Sequence, residues 1–515
     1  MKTLYSGRWP TILVVAGLTI IVSLAGALRL YALTHLSLWI DEAVTVTLSK
    51  GVLLHGLPRV PDGSCVWDAF PASYITAAFL AWFPDVHLGA RLPSALAGIF
   101  LLPVFYFLSQ EIFRSRLQAM CSVLFLGFQV FEIEWSRQAR VYVLLQLALV
   151  GAALCLLRFS RNRRPGMLIS GIALTCLAPM FHRAGYLALA MTGMFVAFEI
   201  RSLVGWRDML SAHKRLVILS CIVGAAGFGI VVGMRSNSSL LALAGQLSES
   251  AGTNYVLSYV RFLWQELGLF LPLSAAGILA GMLSRPRAVF PLAISAVAFF
   301  SLIALKTPLF AYRYVLPIFP FIILFGVGGC WSPWLLFRER WPRLRPAFTL
   351  VSMLISAVSL FFSDVAFRFR ERYVIDPTAP QPRWREAYAT IRARENHIAR
   401  SARPTLLSAF PFMDAIYMEG VSYEAGYLPV SHTGRPNEML ESPPYCPARI
   451  FHSTAEFHDR RGYVIVDDMA LRMLASSEIK DCLLQHRPSV IIDGPSRIYI
   501  WLIDALAAEV PLPGH

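Results

Sequence analysis

Apolar runs alternate with short polar connections over the first 365 positions, and most of the runs are about 20 residues long, enough to cross a bilayer as a helix. The pattern predicts about eleven spans, at roughly 11–31, 88–108, 117–133, 140–158, 166–182, 184–200, 215–234, 262–282, 288–306, 312–331 and 347–365. Between the first two spans lies a long loop, 31–87. Within it, Asp41 to Leu54 and Pro71 to Phe83 have the partly apolar, helical character of segments lying along a membrane interface.

The pattern changes after residue 365. Trp384 to Ala399 reads as an amphipathic helix, while Thr405 to Phe410, Gly462 to Val466 and Ser489 to Ile492 read as short buried strands. A helical pattern runs from Met469 to Gln485, and Arg435 to Pro447 is a Pro-rich polar loop. Alternating strands and helices predict a small α/β domain. The expected organisation is a membrane domain over 1–365, including the loop 31–87, followed by an α/β domain over 366–515.

Composition agrees with this reading, since 56% of residues are hydrophobic and only 15% charged, against about a quarter charged in a soluble protein. The net charge of +14 does not indicate nucleic-acid binding, because the basic residues fall in short connections between apolar runs. Lys2 and Arg8; Arg114 and Arg116; Arg158, Arg161, Arg163 and Arg164; Arg201, Arg207, Lys214 and Arg215; Arg285 and Arg287; and Arg338, Arg340, Arg343 and Arg345 occupy alternate connections. One topology places all of them in the cytoplasm. The basic stretch Met1 to Pro10 precedes a run with no small-residue cleavage site after it, which reads as a retained first helix. Five cysteines fall in apolar runs as small core residues, and Cys65, Cys446 and Cys482 do not; a Cys446–Cys482 disulfide stays open in an oxidising compartment.

The opposite face of the membrane then carries the unusual chemistry. Asp41 and Glu42 follow the first span directly, where acidic residues mark a functional site by default. The other reading is that they cap the interfacial helix, because carboxylates favour helix N-termini. Arg91, Arg137, Arg140, Arg183 and Arg313 fall at outer ends of spans, beside His182, Tyr74, Tyr142, Tyr314, Asp68, Glu132 and Glu134. Arginine suits phosphate, because its planar fork donates two hydrogen bonds at once. Arginines and tyrosines at span ends also serve as anchors at the lipid headgroups.

Several stretches resemble the GT-C superfamily of integral-membrane glycosyltransferases, in the bacterial branch related to protein O-mannosyltransferases and lipid A aminoarabinose transferases. Trp39-Ile40-Asp41-Glu42-Ala43 is similar to the family's first-loop motif of an aromatic followed by Asp-Glu, and Leu28-Arg29-Leu30-Tyr31 before it is also family-like. Asp68-Ala69-Phe70-Pro71-Ala72-Ser73-Tyr74 resembles a degraded Asp-x-His-Pro-Pro-Leu-Tyr, with Phe70 in place of His. Arg91-Leu92-Pro93-Ser94-Ala95 is a further match, as is Ser136-Arg137-Gln138-Ala139-Arg140-Val141-Tyr142, where Gln138 replaces Glu. Arg313-Tyr314-Val315-Leu316-Pro317 resembles Arg-Tyr-Leu-Leu-Pro.

The resemblance implies an inverting transferase in a bacterial inner membrane, with its site and α/β domain outside the cytoplasm. Nucleotide sugars are absent there, so the donor is expected to be a polyprenyl-phosphate sugar, and the acceptor a glycan, lipid or protein. Asp41 is the expected base, with Glu42 either binding acceptor or sugar or orienting Asp41. Arg140 and Arg313, then Arg91 and Arg137, are the expected phosphate ligands, with His182, Tyr142, Tyr314 and Asp68 at the donor site. No ligand set for a metal stands out, and a divalent cation at Asp68 stays open. A lipid-linked-glycan transporter would show paired broken helices in two related halves with charges near the midplane, whereas here the charges fall at one face and no second half repeats the first. A catalytically inactive relative is the other alternative, because Gln138 and Phe70 depart from the family pattern.

Overall fold

The computed structural model describes residues 9–61, 63–200, 254–307, 310–332, 341–363, 382–395, 404–430, 448–457, 460–494 and 496–507. Its first helices are α1 (Trp9–Leu30), α2 (Ile40–His55), α3 (Phe70–Trp82), α4 (Val86–Phe113), α5 (Arg116–Phe128), α6 (Val130–Ser136), α7 (Tyr142–Asn162), α8 (Pro165–Phe181) and α9 (Tyr186–Ile200). They are followed by α10 (Val256–Leu267), α11 (Phe270–Ser284), α12 (Pro286–Lys306), α13 (Phe319–Cys330) and α14 (Arg345–Phe361). The tail contributes α15 (Trp384–Glu395), α16 (Pro411–Tyr417), α17 (Asp468–Met473), α18 (Ser477–Gln485) and α19 (Ile503–Ala507) around strands β1 to β6.

Among the described residues, six helices are long and apolar enough to cross a membrane, or up to seven if the bent pair α10–α11 is one span. Ten of the eleven expected spans coincide with helices or helix pairs, and 215–234 lies outside the described residues. Two of the ten are broken. The run 117–133 stops at Gln129, whose backbone is extended (ψ 128°) and whose side chain caps α6 by accepting from the Glu132 amide at 2.9 Å. The run 262–282 bends by 97° at Gly268, which adopts φ +51° beside the Phe362 carbonyl, a position closed to a side chain. The expected span 312–331 begins as a 3-10 turn, Tyr312–Ile318, before α13.

The chain forms two compact units. The first comprises the described residues within Met1–Tyr31, Trp67–Ala72 and Arg91–Arg370. In it α11 packs against α13 through glycines: a Cβ on Gly277 would lie 1.8 Å from the Phe325 carbonyl oxygen, and one on Gly329 would lie 1.9 Å from that of Leu273. Small residues allow this backbone approach, which drives helix association where lipid removes the hydrophobic term. Arg158 and Arg161, late in α7, both bind Glu111, late in α4, at 3.3 and 2.7 Å. Arg116, opening α5, donates to Thr11 near the start of α1 at 3.1 Å. The ends joined by these contacts are those that the basic connections place on one face.

Arg29, near the end of α1, is almost fully buried. It donates to the carbonyls of Ala25 (3.0 Å), Gly127 (2.7 Å) and Leu126 (3.4 Å). The last two are terminal carbonyls of α5, orphaned by the break at Gln129, so a buried cation completes a helix end that has no water to meet it.

The second unit comprises the described residues within Ala32–Val66, Ser73–Ala90 and Glu371–His515, so α2 and most of α3 group with the tail. Its sheet runs in the order β3-β2-β1-β4-β6-β5. Strands β1 (Thr405–Ser408), β2 (Glu424–Tyr427), β3 (Arg449–Ile450) and β4 (Gly462–Asp467) are parallel; β6 (Ile498–Leu502) pairs antiparallel with β4 and with β5 (Val490–Ile492). β2, β3, β6 and α16 were not among the expected elements, and the helix expected over Met469–Gln485 is two, α17 and α18. Leu474 divides them, pairing with Val430 as an isolated bridge. The core is built on Leu407, Val464, Val466, Phe451, Phe457 and Trp501. The loop Arg435–Pro447, with Cys446, lies outside the described residues.

One polar cluster is buried in this unit. The carboxylate of Asp414 accepts from Tyr388 Oη at 2.5 Å and from Ser408 Oγ at 2.6 Å. Burial pushes Asp414 up to about 7, against the lowering effect of the two hydroxyls. The same burial, with Asp414 beside it, raises the Tyr388 phenol well above its ordinary value.

Candidate functional site

The expected site residues fall into two groups, one in each unit. In the second unit, Asp41 and Glu42 open α2. Glu42 occupies the third helical position and folds back, so that its Oε2 accepts from the Trp39 backbone amide at 3.2 Å. This is half of a capping box, and it leaves the Glu42 side chain fully buried. Asp41, one position earlier, stays partly exposed, and its backbone carbonyl accepts from Thr45 Oγ1 at 3.1 Å. The helix-capping reading therefore holds for Glu42, whereas Asp41 is partly exposed.

In the first unit a second group gathers around the turn after α6. Arg137 caps that helix, its amide donating to the Ile133 and Glu134 carbonyls at 3.2 Å each. The Arg140 carbonyl accepts from Ser94 Oγ of α4 at 2.8 Å, which fixes the turn against the helix that carries Arg91. The Arg140 guanidinium lies 5.8 Å from the centre of the Tyr142 ring. That ring meets Trp135 at 5.2 Å and His182 at 5.1 Å. His182 Nδ1 accepts from the Ala184 amide at 3.1 Å, so the neutral ring carries its proton on Nε2. The turn Arg183–Gly185 packs against the turn Tyr312–Ile318, in which the Arg313 guanidinium lies 5.5 Å from the Tyr314 ring. Arg140, Tyr142, His182, Arg183, Arg313 and Tyr314 thus share one neighbourhood. Arg91 is 2% exposed and Arg137 9%, so both guanidinium groups are buried cations.

Other residues fall elsewhere. Asp68 is exposed ahead of α3, and Tyr74 donates to the Gly56 carbonyl at 2.7 Å, closing the end of α2. Glu132 and Glu134 are buried in α6; Glu132 accepts from Gln146 Nε2 at 2.8 Å. Gln129 Nε2 donates to Glu266 Oε2 of α10 at 2.9 Å. The parts played by Arg29, Gln129 and Gln146 were not foreseen, although polar residues inside or beside apolar runs were the available signal. Among the described residues, no group of three or more His, Cys, Asp or Glu side chains could hold a metal ion.

A family described as dolichyl-phosphate-mannose-protein mannosyltransferase matches residues 68–227. ArnT from Cupriavidus metallidurans in the apo state is similar over 95% of this chain and 98% of its own, at 12% identity and a TM-score of 0.56. The same protein bound to undecaprenyl phosphate is similar over 98% and 99% at 12% identity, TM-score 0.51. An Archaeoglobus fulgidus oligosaccharyltransferase, tethered to an acceptor peptide, is similar over 90% of this chain and 70% of its own, at 12% identity and a TM-score of 0.53. No curated protein matches. With apolar helices long enough to cross a membrane and a fold shared over nearly its whole length with these membrane proteins, the chain is a multi-pass membrane protein whose residues 68–227 match the mannosyltransferase family.

Proposed function

We propose that the protein is an inverting glycosyltransferase that takes its sugar from a polyprenyl-phosphate lipid on the extracytoplasmic side of a bacterial inner membrane. The observation that carries this reading is the difference between adjacent carboxylates: Glu42 is buried in the helix cap, and Asp41 is partly exposed at the same helix end. In the proposed reaction Asp41 takes the proton from an acceptor hydroxyl or amine. The acceptor atom bonds to the anomeric carbon as the bond from that carbon to the phosphate oxygen breaks, and the electron pair leaves with the polyprenyl phosphate. Attack opposite the leaving group inverts the anomeric centre. Arg140 and Arg313, with Arg91 and Arg137, meet the charge that builds on the phosphate, and the Nε2 proton of His182 can donate to it. Tyr142 and Tyr314 flank those cations, and Asp68 is the remaining carboxylate for a sugar hydroxyl or a divalent cation.

The bound lipid of the similar ArnT structure, undecaprenyl phosphate, suggests the donor to test. The protein in nanodiscs would be given undecaprenyl-phosphate hexoses and pentoses labelled in the sugar, together with membrane extract as the acceptor source. Transfer of label with release of undecaprenyl phosphate from at least one donor is expected. If every labelled lipid stays intact while proteoliposomes move it between leaflets, the protein is a transporter and the proposal fails.

A further inference from the structure

The segment that leads into Asp41, residues 32–39, has no regular secondary structure beyond turns, so something else must fix it. The fixing groups come from the α/β domain and lie in the same compact unit. Arg385 holds it twice: its backbone amide donates to Ser37 Oγ at 3.1 Å, and its guanidinium donates to the Thr34 carbonyl at 2.6 Å. Tyr417, the last residue of α16, accepts the Leu38 amide through its hydroxyl at 2.8 Å. That hydroxyl also lies 3.3 Å from His87 Nε2. His87 stands at the start of α4, with Nδ1 3.6 Å from the carboxylate of Asp85, which caps that helix by accepting from the His87 and Leu88 amides.

Tyr417 is itself held firmly. Its ring stacks on Tyr388 with centroids 5.2 Å apart and planes at 11°. Tyr388 is locked to Asp414, which Ser408 at the carboxyl end of β1 also holds. Strand order reverses beside β1, between β1 and β4, and at such a point open α/β sheets usually bind ligands. Here Ser408, at the end of β1, instead starts a chain of contacts that reaches a peptide group three residues ahead of Asp41. Each of these hydrogen bonds alone is too weak to decide whether a chain of this size folds. A misplacement of about 1 Å at a catalytic group, by contrast, costs up to about a hundredfold in rate.

We propose that Tyr417, assisted by Arg385, is a positioning residue that sets the place of the Asp41 carboxylate, so that the α/β domain governs the rate of proton transfer. The inference rests on Asp41 being the base. Tyr417→Phe keeps the stacked ring and removes only the hydroxyl. In the full-length protein in nanodiscs, hydrogen exchange at amides 36–42 should rise while the strands keep their protection. With labelled undecaprenyl-phosphate sugar, kcat should fall about tenfold and donor KM should stay within about twofold of wild type. In an Asp41→Glu background, where the carboxylate is already displaced, the same change should cost less than about twofold. Arg385→Lys should lose part of kcat and Arg385→Ala more. A wild-type kcat in Tyr417→Phe, or an equal loss in both backgrounds, overturns the positioning role. Full turnover by Asp41→Asn would overturn the base assignment and this proposal with it; an inactive Asp41→Asn beside a fully active Tyr417→Phe would overturn the positioning role only.

Discussion

Replacing Tyr388 with Phe removes one of the two hydroxyls that the buried Asp414 accepts from, at 2.5 and 2.6 Å, and leaves the ring in place. A hydrogen bond to a charged group contributes about 1.5–3 kcal/mol and a neutral one about 1 kcal/mol, so the cost of the substitution depends on whether Asp414 is ionised. Burial lifts its folded value from 3.8 to about 7. Below about pH 4 the carboxyl is protonated in both folded and unfolded chains. As pH rises from about 4 to about 7 the unfolded chain ionises first, and the wild-type domain loses stability; above about 7 the curve is flat. Without the Tyr388 hydroxyl the folded carboxyl titrates higher still, so the decline continues past pH 7. The expected loss is about 1 kcal/mol at pH 6 and about 2–3 kcal/mol at pH 8.5. Hydrogen exchange of peptides covering 405–417 in the full-length protein, corrected for the intrinsic pH dependence of exchange, would measure both. A loss of equal size at the two pH values would refute the view that Tyr388 supports a buried carboxylate.

Two further outcomes test the membrane unit. Gly277→Val drives a side chain into the Phe325 carbonyl and should abolish monodisperse protein in detergent, whereas Gly193→Ala, with nothing within 4 Å of the added carbon, should leave the yield unchanged. Arg140→Lys keeps the charge but loses the planar fork; kcat and kcat/KM should both fall about tenfold, and unchanged kinetics would remove Arg140 from the phosphate site.

Much of the membrane unit was legible because length and apolar character, read residue by residue, are what a bilayer demands. The breaks were not. Gln129 and Gly268 sit in largely apolar stretches, and the breaks there come from a local side-chain cap on the Glu132 amide at one and from a close approach of the Phe362 carbonyl at the other. In the tail, β1, β4 and β5 announced themselves as apolar runs. β6, Ile498-Tyr499-Ile500-Trp501-Leu502, carries an equally strong β signal, five β-branched, aromatic or apolar residues in a row. β2, Glu424-Ala425-Gly426-Tyr427, carried almost none, and forms because Gly426 admits Leu407 and Phe451 against its backbone. For the candidate site, the sequence singled out Asp41 and Glu42 as a pair but could not divide their roles, since neighbours in a helix's first turn differ only in the direction each side chain takes. The contacts of Arg385 and Tyr417 with residues 34–38 span more than 340 positions, and no local pattern encodes them.

The most direct measurement is sugar transfer by Asp41→Asn, made on the same preparation in which folding and donor binding are also measured. Asparagine keeps the size and the hydrogen-bonding reach of the side chain and removes its basicity. Transfer from labelled undecaprenyl-phosphate sugar should fall by about 10²–10⁴-fold while donor binding and thermal stability stay at wild-type values. Transfer at the wild-type rate would contradict the assignment of Asp41 as the base.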